Sequence, residues 1–145
     1  MCIRDRATEG LREMHRRGIK LLPGGDYGFA WTPHGTYARD LEHFVERLGF
    51  TPMEAIISAT AWGGEIMLRP DELGKVQPGY LADLILVDGD PLEDITVLQD
   101  HDKLHAIMKD GLFHKEDSPL VTHRGLDDPA GPVSERTREY VEARP

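Results

Sequence analysis

Residues 74–91 read Gly-Lys-Val-Gln-Pro-Gly-Tyr-Leu-Ala-Asp-Leu-Ile-Leu-Val-Asp-Gly-Asp-Pro, and no other stretch limits the fold so tightly. Pro78-Gly79 marks a turn, Ala82-Asp83 a corner, and Asp88-Gly89-Asp90-Pro91 a second turn. The run Leu84-Ile85-Leu86-Val87 between them contains no polar residue and is bounded on both sides by turn formers. That pattern predicts a short buried strand. Asp83, Asp88 and Asp90 read as turn formers, because their Gly and Pro neighbours specify backbone geometry.

Downstream the strand-like period continues. Leu104-His105-Ala106-Ile107-Met108 predicts a second strand, Asp110-Gly111 the residues of a two-residue hairpin turn, and Leu112-Phe113-His114 the returning strand. The connection from Leu92 to Leu98 has spaced polar residues and room for one helical turn. After Lys115 the chain is charged and proline-containing, so residues 116–133 are expected to be loosely ordered. Ser134 to Ala143 is expected to form a weak helix with mostly polar faces.

Upstream the period is helical. Residues 7–17 place Leu11, Met14 and His15 among charged neighbours, and Gly18 stops that helix. Ile19-Lys20-Leu21-Leu22 then predicts a short strand, ended by Pro23-Gly24-Gly25 just before Asp26. A helix, a strand and a glycine-rich loop in this order form half of an α/β repeat. Leu41, Phe44, Val45 and Leu48 fall at i, i+3, i+4 and i+7 and give a helix over 37–48 one apolar face, with Gly49 ending it. Thr51-Pro52-Met53-Glu54 is a capping-box signature with proline at the first helical position. The helix it opens is expected to reach about Leu68 and to bury Met53, Ile56, Ile57 and Thr60, while Ala59, Ala61, Gly63 and Gly64 permit close packing.

At 145 residues, 39% hydrophobic and 30% charged, the chain is large enough for one globular domain with its own core. The formal net charge of −9 argues against nucleic acid or an anionic membrane surface as a partner. No apolar run approaches the roughly 20 residues of a membrane span. The single cysteine, Cys2, excludes an internal disulfide and suits a reducing cytoplasm. Met1 to Arg6 has no apolar signal region and no cleavage site. We expect these six residues to be a non-native start, with the natural N-terminus elsewhere.

Two residues stand out as chemical candidates. Asp26 follows a short strand on a glycine-rich turn, which is where α/β barrels build their active sites; capping the turn through its own backbone is the plainer alternative. His34, in Pro33-His34-Gly35, is a loop histidine able to bind metal, relay protons or contact a substrate carboxylate, or simply to pack on the surface. No His-x-His or Cys-x2-Cys spacing occurs. His101 and His105 are four apart but straddle a loop-to-strand transition, so the sequence holds no self-contained metal site of the usual kinds. No Gly-x-Ser-x-Gly, P-loop or dinucleotide fingerprint is present. Tyr27, Phe29 and Trp31 either line a substrate mouth or pack the loop.

Taken together, several short pieces recur in order. They are Gly25-Asp26, His34-Gly35 before a helix, Gly49-Phe50-Thr51-Pro52-Met53-Glu54-Ala55-Ile56, Ala59-Thr60, and Leu73-Gly74-Lys75-Val76. Then come Pro78-Gly79 with Leu81-Ala82-Asp83-Leu84, Asp90-Pro91 with Asp94-Ile95, and Ile107-Met108-Lys109-Asp110-Gly111. From about Thr8 to Lys115 the chain thus resembles the C-terminal third of a metal-dependent amidohydrolase-superfamily enzyme of the imidazolonepropionase-like or dipeptidase-like branch.

The resemblance implies an α/β chain: the last α/β unit of a TIM-type metallohydrolase barrel followed by part of a small β-sandwich, an incomplete domain. Residues 7–72 would be the C-terminal part of the barrel with its covering helices, 73–115 the sandwich portion and 116–145 a polar tail. Asp26 would be a metal ligand, and catalytic in taking a proton from the hydrolytic water, with His34 shaping the substrate pocket. The cofactor implied is a divalent metal, zinc by preference, in a longer parent that hydrolyses C–N bonds of a small-molecule substrate. The paired histidines, bridging lysine and further histidines of such enzymes have no counterpart here. A barrel takes about 250 residues, so this chain alone is expected to be inactive and to bind no metal tightly. A non-catalytic assembly module of the same fold, or another reaction on the same scaffold, are the alternatives.

Overall fold

The computed structural model describes residues 3–116. Helix α1 (Ile3–Arg16) is followed by an irregular segment, then by α2 (Arg39–His43), which runs on as a π-helical turn over Phe44–Leu48. Helices α3 (Pro52–Ala59) and α4 (Ala61–Ile66) come next. A three-stranded antiparallel sheet follows, in the order β1 (Leu84–Val87), β2 (Leu104–Lys109), β3 (Leu112–Glu116). Two 3₁₀ turns, Ile95–Gln99 and His101–Lys103, join β1 to β2. No helix among the described residues is long and apolar enough to cross a membrane. The expected loose segment 116–133 and weak helix 134–143 lie outside the described residues, apart from Glu116, which closes β3.

The core sits in the helical half. Leu41, Phe44 and Leu48 are buried with Phe50, Ala55 and Ile95, and Leu21, Val45, Ile56, Trp62 and Leu98 pack around them. Three of the four residues on the expected apolar face are therefore its centre. The helix is shorter than its apolar spacing suggested, starting at Arg39, and Gly49 ends it at φ 84° in the left-handed region. His15 of α1 stacks on Phe50 at 3.7 Å between ring centroids, which ties the first helix to this core. That helix starts at Ile3, four residues earlier than expected, because Arg4 and Arg6 are good helix formers and the charge of Asp5 suits the first turn.

The Thr51 capping box forms as read. The Thr51 hydroxyl accepts from the Glu54 backbone N–H at 3.3 Å, and the Glu54 carboxylate accepts from the Thr51 N–H at 2.8 Å. The helix it opens does not reach Leu68 unbroken. Thr60 stands outside helical geometry at φ −115°, ψ −81°, and its hydroxyl bonds back to the Ile56 carbonyl at 2.7 Å, a contact that bends helices. The chain also crosses closely here. A Cβ on Gly74 would lie 2.2 Å from the Thr60 carbonyl oxygen, and one on Gly64 would lie 2.6 Å from that of Leu73. Gly64 is the close-packing glycine; Gly63 faces open space. The buried residues of α3 are Ala55 and Ser58, whereas Met53 is 48% exposed and Thr60 is exposed. The expected burial of Met53 and Thr60 is thus wrong, because small residues fill the contact with the core.

Two strand expectations also change. Ile19 to Leu22 forms no strand, since no neighbouring strand among the described residues offers it backbone partners. Leu84 to Val87 is a strand with the expected bounds, but it is the edge of the sheet and not buried: Ile85 is 53% exposed and Leu86 44%. Its pairs are Leu84 with Met108, Ile85 with Ile107 and Leu86 with Ala106. The hairpin turn is as read, with Asp110 at φ 52° and Gly111 at φ 79°, the double positive φ of a two-residue hairpin loop.

The turn aspartates do more than turn. The Asp83 carboxylate accepts from the Asp110 backbone N–H at 2.8 Å and from Lys109 Nζ at 2.9 Å, pinning the corner before β1 to the hairpin tip. Burial pushes the Asp83 carboxyl up, but those two hydrogen bonds and the Lys109 charge outweigh it and hold it below its ordinary value. Asp90 accepts from the Leu92 N–H at 2.8 Å, as an Asx turn does.

Candidate functional site

The loop from Asp26 to Tyr37 is closed by its own hydrogen bonds. Gly28 N–H donates to the Thr32 carbonyl at 2.8 Å and Thr32 N–H to the Phe29 carbonyl at 3.1 Å, making a miniature bridge between Phe29 and Thr32. The Thr32 hydroxyl donates to the Asp26 carbonyl at 2.7 Å. Gly28 takes φ 111°, which L side chains rarely adopt, so the tight start of the bridge depends on glycine. The backbone of Asp26 is therefore fixed by residues six positions away, while its side chain stands exposed to solvent.

His34 is held at the other end of this loop. Its Nδ1 lies 2.7 Å from the Tyr37 hydroxyl. Its Nε2 leans over Gly28, where a Cβ would meet it at 3.1 Å. When the hydroxyl donates to Nδ1, Nε2 carries the proton and presents a hydrogen-bond donor beside the Asp26 turn. The two residues singled out in the sequence thus belong to one closed loop, linked through Gly28 and Thr32.

The aromatic residues separate into two sets. Tyr27 turns inward: it meets Tyr37 edge-on at 4.5 Å and hydrogen-bonds with Asp40. Burial, with that bond and the Asp40 charge, pushes the Tyr27 hydroxyl up to about 12, so it stays a neutral structural group. Phe29 and Trp31 turn outward, their rings stacked within 6° at 5.4 Å, and 47% and 74% exposed. Sequence reasoning missed Thr32, Tyr37 and Asp40. The one available signal was Tyr37 three residues after His34, a spacing that suits a turn or helix start.

Among the described residues no group of three or more His, Cys, Asp or Glu gathers as a metal site. Asp26 is an open anionic donor on a glycine-rich turn, but a catalytic zinc needs about three protein ligands. The described donor set does not fit the metal alone. His101 and His105 do not form a pair either, the first lying in a 3₁₀ turn and the second in β2, beside Asp88 at 3.8 Å. A cleft of about 340 Å³ is lined by Leu11 of α1, by Leu21, Leu22, Gly24 and Gly25, and by Asp40 and His43 of α2.

A family model described as the amidohydrolase family matches residues 3–113. An ochratoxinase of Aspergillus niger is 39% identical over 102 residues, which cover 69% of this chain and 20% of that protein. An imidazolonepropionase of Pyrobaculum arsenaticum is 33% identical over 89 residues, covering 61% of this chain and 22% of its own. Among solved structures, a Xaa-Pro dipeptidase with bound methionine in its active site superposes with a TM-score of 0.65 at 36% identity, over 74% of this chain and 25% of its own. The chain thus spans about a fifth to a quarter of the length of these relatives.

Proposed function

The chain belongs to the amidohydrolase family, and from that premise we propose that it is the C-terminal portion of a metal-dependent hydrolase of C–N bonds. On this reading residues 7–72 are the last α/β unit of a TIM-type barrel with its covering helices, and residues 73–115 are part of a β-sandwich. Ile19 to Leu22 becomes a strand when its barrel neighbours supply hydrogen-bond partners. The exposed face of β1 is covered in the same way. The observation that carries the proposal is the placement of Asp26. A fixed backbone presents a free carboxylate at the end of the Leu21-Leu22-Pro23-Gly24-Gly25 segment.

Asp26 would be one anionic ligand of a divalent metal, zinc by preference, whose other ligands lie outside this chain. Such a metal, when bound, lowers the pKa of water and polarises the substrate carbonyl. The work of this chain is proton handling and positioning. The Asp26 carboxylate accepts a proton from the attacking water and returns it to the leaving nitrogen, as a held carboxylate within hydrogen-bond reach can do. His34, oriented by Tyr37, offers its Nε2–H to an oxygen of the small-molecule substrate. Chemistry of this kind suits the cytoplasm and needs neither nucleic acid nor membrane.

The test is Asp26→Asn in the complete enzyme loaded with zinc. Amide replaces carboxylate at constant shape, so the fold survives while proton transfer is lost. Turnover of amide substrates is expected to fall by about two to four orders of magnitude. Near-normal turnover would sink the role given to Asp26.

A further inference from the structure

We propose that Phe29 and Trp31 form an aromatic platform that selects substrates carrying a flat apolar group next to the scissile C–N bond. The inference rests on the hydrolase reading above and names the substrate class of that site. Exposed apolar residues occur elsewhere, but apart from Tyr37, whose hydroxyl holds His34, they are not aromatic, among them Ile85 and Leu86 on a sheet edge and Ile66 to Leu68 at a helix end. The Phe29–Trp31 pair differs in position, chemistry and support.

Its position is the turn that carries Asp26, through the Thr32 hydroxyl bond to the Asp26 carbonyl. Its chemistry is two nearly parallel rings, with Phe29 covering one side of the indole and Trp31 still 74% exposed. Aromatic faces prefer offset stacking or edge contacts with other flat groups. Its support is the backbone bridge between Phe29 and Thr32, which fixes the chain on both sides of Trp31. Tyr27, two residues earlier, shows what a packing aromatic looks like in the same loop: inward, hydrogen-bonded and ring-paired. A ring already stacked on a neighbour has less freedom left to lose on meeting a ligand, which favours binding.

The experiment uses the complete zinc-loaded enzyme and a matched pair of substrates, the N-benzoyl and N-acetyl derivatives of one amino acid. Trp31→Ala is expected to lower kcat/KM for the benzoyl substrate about tenfold, mainly through KM, and to leave the acetyl substrate within about twofold. Trp31→Tyr should restore most of the loss. An equal fall on both substrates, or none on either, would overturn the platform. If the wild-type enzyme hydrolyses neither, the hydrolase reading fails and binding decides the platform separately. In that arm the benzoyl compound should change tryptophan fluorescence more strongly than the acetyl compound in wild type and lose that preference in Trp31→Ala. A preference that survives Trp31→Ala, or never exists, would overturn it.

Discussion

The helical half and the sheet half of this molecule both form hydrogen-bonded secondary structure but differ in how they hide apolar surface. Between Arg39 and Trp62 the chain closes a core of its own, with Leu41, Phe44, Leu48, Phe50 and Ala55 buried and Ile95 reaching in from the first 3₁₀ turn. In the sheet, Ala106 alone is buried, and β1 exposes Leu84, Ile85 and Leu86. Strand pairing is satisfied while the side chains of β1 stay exposed. Secondary structure and burial are therefore separable: hydrogen-bond ladders form from local pairing, whereas cores need a second layer.

The sharpest way to break this contrast is Phe44→Ala. Phe44 is 9% exposed and lies 4.8 Å from Phe50 between ring centroids. Removing a buried aromatic costs about 3 to 5 kcal/mol. Urea unfolding of the chain should show a fall of that size in the transition assigned to the helices. A loss near zero would mean that the helical half has no core of its own.

How much could be read in advance follows the same division. The capping box at Thr51, the stop at Gly49 and the Asp110-Gly111 turn were legible because each depends on three or four adjacent residues. The strand at Leu84 was legible in its bounds, being set between two turns, but its burial was not, because burial depends on elements distant in sequence. Ile19 to Leu22 has the composition of a strand and lacks partners among the described residues. Ser58 is fully buried, its hydroxyl donating to the Ala55 carbonyl at 2.7 Å, and no period would have chosen it over Ile57. In the loop, Asp26 and His34 announced themselves by their neighbours. The Thr32 and Tyr37 hydroxyls that fix them act through space, and only coordinates join them.

A middle-sized effect is expected at the boundary between loop and core. Thr51→Ala removes the hydroxyl of the capping box and should cost about 1 kcal/mol. It should also alter the acid limb of stability. The Glu54 carboxyl is held below its ordinary value by the Thr51 backbone N–H first, then by the Thr51 hydroxyl, with His15 adding a smaller attraction. Glu54 is thus more acidic folded than unfolded. It contributes stability above the ordinary value of 4.5, and that stability is lost as pH falls through the folded value. Stability curves from pH 7 downward should show a smaller Glu54-dependent loss in Thr51→Ala than in wild type. Identical acid limbs would remove the hydroxyl from the account.

The smallest effect should come from the sheet, and it is the most informative about the cover proposed for β1. Ile85 pairs with Ile107 on β2 yet is 53% exposed. Truncating a residue already half in water forfeits only part of its burial, so Ile85→Ala should cost about 1 kcal/mol or less in this chain. In a complete enzyme, where the proposed sandwich covers β1, the same change empties a packed site and should cost about 2 to 4 kcal/mol. The two measurements differ only in what lies over β1. A core-sized cost in this chain alone would mean that the sheet is already covered, and equal small costs in both would leave β1 an open edge. An intermediate gain would measure how much of the cover the rest of the enzyme supplies.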